Sequence, residues 1–115
     1  MRRRPSRYLL VRVLAETVVP EETFRLLLTE SILKLLGEAG LAEIDPRLFN
    51  WNENASTGIV KCTRDSVEKL RASISMISGS PEKPMCAYVR AVSGTSKGLK
   101  TKESWHSGQD QATKS

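Results

Sequence analysis

Residues 57–77, TGIVKCTRDSVEKLRASISMI, change period half-way along. The first part, GIVKC, is a short apolar run entered from the turn-forming residues Ala55, Ser56, Thr57 and Gly58, which predicts a buried strand. The second part brings back Val67, Leu70, Ile74 and Ile77 at three- and four-residue intervals, the spacing of one helical face. Thr63 stands between the two and is expected to cap the helix. A strand that passes this directly into an amphipathic helix sets the frame for its neighbours.

Upstream, the run RLFNWNEN after Asp45-Pro46 alternates Phe49 and Trp51 against Leu48, Asn50 and Asn52. It predicts an edge strand forming a hairpin with GIVKC. Before it, Phe24, Leu27, Leu28, Leu35 and Leu36 keep helical spacing, and Leu26, Ile32 and Leu33 widen the stripe, so a helix buried on more than one side is expected. Pro20 suits its first position and Glu21 and Glu22 complement its dipole, while Gly37 and Gly40 offer stops with a short continuation through Leu41. Residues 8–16, YLLVRVLAE, are apolar on both faces, as in a central strand. Downstream, SGSPEKP breaks the second helix and residues 85–92, MCAYVRAV, form the last strand.

The order strand–helix–strand–strand–helix–strand is that of an α+β, ferredoxin-like (RNA-recognition-like) sandwich, a four-stranded antiparallel sheet with both helices on one face. Alternation then places Leu9, Val11, Val13, Val60, Ala87 and Val89 toward the helices and Tyr8, Arg12, Lys61, Tyr88 and Arg90 outward. Cationic and aromatic side chains on an open sheet face suit RNA. GIVKC carries no aromatic residue, so sequence-specific reading of single strands is disfavoured.

With 115 residues, 39% hydrophobic and 27% charged, the chain has the size and composition of one ordinary domain. No apolar run reaches the roughly 20 residues that a bilayer span needs, and the start MRRRPSR is not followed by a signal-peptide pattern. No membrane association and a cytoplasmic location are therefore expected. Cys62 and Cys86 both lie in apolar runs and are expected to be buried free thiols, held apart by the first strand lying between theirs.

The net charge of +5 is concentrated in Arg2, Arg3, Arg4 and Arg7 at the entrance and in Lys97, Lys100 and Lys102 at the exit, which favours a polyanionic partner. The organisation expected is a basic arm over 1–7, the domain over 8–94, a basic exit loop over 95–102 and a disordered polar tail over 103–115. The exit, SGTSKGLKTK, is not a phosphate-binding P-loop: only three residues lie between Gly94 and Gly98, where the motif needs four, and Leu99 separates Gly98 from Lys100. Glu16, Glu21, Glu22, Asp65 and Glu68 are scattered at element ends, and the sole histidine, His106, lies in the tail. No catalytic residue and no metal ligand is therefore expected on the chain.

Taken together, TGIVKCTRDSVEKLRASI and YVRAVSGTSKGLK resemble the archaeal and eukaryotic ribonuclease P protein component 2 family, and RYLLVRV agrees with it; the likeness spans about residues 7–102. The resemblance implies an RNA-binding, non-catalytic subunit of the ribonucleoprotein that removes 5′ leaders from precursor tRNA. It also implies that catalysis and magnesium belong to the RNA subunit, and that the partners are ribonuclease P RNA, protein component 3 and precursor tRNA in the assembled complex, with higher-order assembly open. Ser93, Gly94, Thr95, Lys97 and Lys100 match the family's exit motif, and RNA contact is what the match implies for them. The alternative is a ferredoxin-like ligand-binding domain or protein adaptor without RNA, with Leu10, Leu14 and Ile59 as its exposed interface.

Overall fold

The computed structural model describes residues 5–95. Strand β1 (Ser6–Ala15) leads into helix α1 (Glu21–Ile44), then β2 (Arg47–Asn52), β3 (Thr57–Thr63), a 3-10 turn (Arg64–Ser66), helix α2 (Val67–Ser75) and β4 (Met85–Ser93). The strands lie in the order β2-β3-β1-β4, every pair antiparallel. This is the ferredoxin-like arrangement expected, with β1 in the interior between β3 and β4.

The core lies between the sheet and the helices. Leu9, Val11, Val13, Val60 and Ala87 from the strands meet Phe24, Leu28 and Ile32 of α1 and Leu70 and Ile74 of α2, with Ile77 just beyond α2. The alternation expected for β1 holds, because the helix layer accepts only the odd-numbered set. Within this layer the Ser31 hydroxyl donates to the Ser73 carbonyl, and the Ser73 hydroxyl donates to the Lys69 carbonyl, tying α1 to α2.

Several local expectations give way to tertiary packing. Pro20 precedes α1 as its N-cap in extended conformation, and is not its first helical residue. The helix kinks at Gly37, whose φ of 73° lies outside helical space, and then runs on to Ile44. It is buried on one side only: Leu26 is 59% exposed, Leu33 37% and Leu35 40%. One sheet cannot cover a helix all round, and no third layer lies outside α1 among the described residues. Thr63 stands before the 3-10 turn and does not cap α2, whose N-cap is Ser66; the Thr63 hydroxyl donates to the Ser66 hydroxyl at 2.7 Å and no side-chain cap bond forms at either position.

Strand β2 departs most from simple alternation. Its register steps from Phe49 opposite Ile59 to Asn52 opposite Thr57, so Asn50 and Trp51 together face Gly58. Asn50 takes a positive φ of 54° to accommodate the extra residue. Phe49 and Trp51, expected on one face, therefore lie on opposite faces. Trp51 turns to the core, stacks on Phe24 with ring centroids 4.9 Å apart, and donates its indole N–H to the Val19 carbonyl at 2.9 Å. A Cβ on Gly58 would come within 2.5 Å of the Trp51 ring, which is why the position opposite the bulge is glycine.

Strand β4 bulges as well. Val11 pairs with Val89 and Leu10 with Ala91, leaving Arg90 as the extra residue. The strict alternation that put Arg90 outward is interrupted at that position. Cys62 is buried in the core, whereas Cys86 pairs with Leu14 on the other face and is exposed, so only one of the two thiols is interior.

Candidate nucleic-acid interface

The face of the sheet turned away from the helices can be read row by row from the register. At one end Arg47, Lys61, Tyr8 and Ser93 lie side by side across the four strands. Next come Phe49, Ile59, Leu10 and Ala91, then Asn52, Thr57, Arg12 and Tyr88, and finally Leu14 beside Cys86.

Of the sequence-predicted residues, the fold brings Tyr8, Arg12, Lys61, Tyr88 and Ser93 onto this one face. Gly94 and Thr95 follow at its rim. Arg7 pairs with Cys62, a core residue, and so falls on the helix side at the end of β1, where its guanidinium donates to the Ser6 carbonyl. Arg2, Arg3, Arg4, Lys97, Lys100 and Lys102 lie outside the described residues.

Arg47 was missed. Its place beside Lys61 follows from the β2–β3 hairpin, and pairing the two strands back from the turn at 53–56 would have found it, with the Asn50 bulge counted. Two cations directly opposite on neighbouring strands repel each other. Asp45 eases this in part, 3.6 Å from the Arg47 guanidinium on the exposed rim.

The expected apolar interface on this face is not open. Leu10 and Ile59 are each 1% exposed, sealed in a small second cluster by Tyr8, Phe49 and Ala91, with the Tyr8 and Phe49 rings edge to face at 6.1 Å. Only Leu14, 47% exposed, remains accessible of the three positions an adaptor would have used.

Charge divides between the strands and α1, while α2 carries Lys69 and Arg71 against Glu68. The four strands carry Arg7, Arg12, Arg47, Lys61 and Arg90 and no carboxylate, whereas α1 carries five glutamates against Arg25 and Lys34. A low-charge strand interior would be unremarkable; a wholly cationic one gives the sheet a positive field. Surface pockets of about 140 to 260 Å³ flank the fold, below the 300–1,000 Å³ or so of a typical small-ligand site. One of about 170 Å³, between Ala15–Pro20 and Lys83–Met85, is remote from the Arg47–Lys61 row, whereas one of about 240 Å³ is lined by Arg47 and Lys61 themselves. Among the described residues no three of histidine, cysteine, aspartate and glutamate gather as metal ligands, and no helix is long and apolar enough to cross a membrane. Burial pushes the Cys62 thiol up to about 11, away from nucleophilic use at neutral pH.

Comparison with known proteins places this geometry. Residues 7–103 match the model of the Rpp14/Pop5 family. The chain is 34% identical over 97 residues to ribonuclease P protein component 2 of Pyrococcus horikoshii, covering 84% of this chain and 81% of that protein. It is 29% identical over 100 residues to the component 2 protein of Methanocaldococcus jannaschii, covering 87% and 73%. In fold it is similar to a chain in the cryo-EM structure of yeast ribonuclease MRP, with a TM-score of 0.68, 11% identity and 98% of each chain covered. The match over residues 7–103, with the 34% identity to a relative covered over most of its length, makes this chain a member of the Rpp14/Pop5 family.

Proposed function

We propose that the chain is a protein subunit of ribonuclease P that binds the RNA of the ribonucleoprotein and itself carries out no hydrolysis. The observation that carries this reading is the segregation of charge: five cations and no carboxylate in the strands of a chain from this family. The open face offers Arg12, Arg47 and Lys61 to phosphate, with Ser93, Gly94 and Thr95 at its rim; in sequence Lys97, Lys100 and Lys102 follow these, and Arg2, Arg3, Arg4 and Arg7 cluster at the other end of the chain. Such contacts position an RNA without specifying its sequence.

The carboxylates that two-metal hydrolysis would need are dispersed, with Glu21 bonded to Arg25 and Glu43 to Lys69 on the helical layer. In this reading magnesium and the cleavage chemistry reside with the RNA subunit. Protein component 3 is the protein partner, precursor tRNA is met in the assembled complex, and the location is cytoplasmic.

Reconstitution tests the proposal. The purified chain alone is expected to leave precursor tRNA intact at any magnesium concentration, and to raise cleavage by the cognate RNA when its partner protein is present. Hydrolysis by RNA-free protein, or no effect on the reconstituted reaction, would overturn it.

A further inference from the structure

Resting on that reading, we infer that the open face of the sheet holds double-helical RNA by its phosphates and is not a stacking platform for single strands. Proteins that take single strands without sequence preference combine a continuous cationic groove with aromatic rings on which successive bases lie. Neither is present on this face among the described residues. The central positions of the two inner strands are Leu10 and Ile59, aliphatic and 1% exposed. The two rings nearest them, Tyr8 and Phe49, are half-buried against that cluster and meet edge to face at 89°, an arrangement that does not present two parallel rings to successive bases. Tyr88, 39% exposed, stands alone at the β4 edge beside Arg12.

The cations are arranged differently from a groove. Arg47 and Lys61 form one group, in the row of Tyr8. Arg12 lies four residues further along β1, about 13 Å away at the rise of an extended strand. Between them runs the neutral, sealed strip of Phe49, Ile59, Leu10 and Ala91, with Arg90 set off at the bulge on its β4 side. An A-form helix presents two backbones flanking a wide, shallow minor groove that proteins recognise by shape. The Arg47–Lys61 pair and the single Arg12, separated by an uncharged strip, match that pattern. The Arg47–Lys61 juxtaposition supplies a second reason: like charges held opposite each other are destabilising in the free protein, and a phosphate between them relieves the repulsion.

Binding of the full chain to two probes, followed by fluorescence anisotropy over a range of salt concentrations, tests this. One probe is a fully paired RNA hairpin with a stem of about 16 base pairs, a length one RNA-duplex domain can span. The other is an unstructured RNA of equal nucleotide length. The hairpin is expected to bind at least about tenfold more tightly, and hairpins of unrelated sequence to bind alike. Replacing Arg12→Gln, Arg47→Gln and Lys61→Gln together should lower the logarithmic salt slope for the hairpin by about 2–3 units, one counterion or slightly less per lost contact. Tighter binding of the single strand, abolished by Tyr88→Ala, would overturn the inference, and so would an unchanged slope in a triple variant whose circular dichroism is native. The comparison of the two probes needs no variant. If the chain stimulates precursor-tRNA cleavage yet prefers the single strand, the duplex inference falls and the subunit reading stands; if it binds neither probe and stimulates nothing, both fall.

Discussion

Leu9 and Leu10 are neighbours in the chain and equally hidden, at 0% and 1% exposure, yet they belong to different regions of the molecule. Leu9 enters the main core, among side chains of both helices and all four strands. Leu10 enters a patch of two buried and three half-buried residues on the open face, bordered by cations. The first region is closed by a whole layer of secondary structure; the second is closed only by its own side chains. The contrast separates burial that maintains the fold from burial that shapes a surface. Leu10 and Ile59 leave the centre of the open face uncharged, between the Arg47–Lys61 row and the row of Arg12.

The largest effect expected in testing this contrast comes from truncating each leucine. Leu9→Ala should cost about 4 kcal/mol, toward the upper end for a cavity that a packed layer cannot refill. Leu10→Ala should cost about 2 kcal/mol, because Tyr8, Phe49 and the strand-flanking cations can settle into the gap. Urea unfolding of both variants measures the difference, and equal losses would erase the distinction between the two regions.

The cysteines sharpen the same comparison through pH. The buried Cys62 thiol has its pKa raised from 9.0 to about 11, by desolvation of the thiolate. Below pH 9 both folded and unfolded chains keep the proton, so the thiol contributes its full stability there. Between pH 9 and about 11 the unfolded chain releases the proton first, and stability falls as pH rises. A loss on the order of 1–2 kcal/mol over that window is expected, and Cys62→Ala should flatten it relative to the parent protein. On the open face Cys86 is exposed, so a thiol reagent near pH 8 should modify it in the folded protein and spare Cys62 until the chain unfolds. Simultaneous modification of both thiols in native conditions would contradict the placement of one on each face.

The smallest effect should appear at the cation row. Lys61→Gln removes a like charge opposite Arg47, and is expected to raise stability in the absence of RNA by a few tenths of a kcal/mol. The gain should shrink at high salt. The same substitution should weaken RNA binding. A Lys61→Gln variant less stable than the parent at low salt would mean that the row is not under repulsion.

Much of this was legible in the chain. The period change at Thr63, the Gly and Pro punctuation and the odd-numbered apolar set of β1 suffice for the element order and the inward face of the central strand. They also place Tyr8, Arg12, Lys61 and Tyr88 together on the open side. The bulges at Asn50 and Arg90 were not legible, since one inserted residue reverses the parity of everything beyond it and leaves no compositional mark. For that reason Trp51 was expected beside Phe49, and Arg47 was overlooked. Leu26 and Leu33 were expected inside because hydrophobicity records what a side chain prefers, not which neighbours the fold provides.

By itself the sequence determined the order and type of the elements, the pairing of one apolar face with two helices, and the absence of carboxylates from every strand, because these depend on local periodicity and composition. Only the tertiary structure decided which cations stand side by side, which rings face each other, and that Leu10, Ile59 and Cys86 share the open face yet differ in exposure. Those outcomes depend on register and on strand order, quantities set by contacts between residues far apart in the chain. A shift of one residue in either bulged strand would leave the composition identical and rearrange the open face of the sheet.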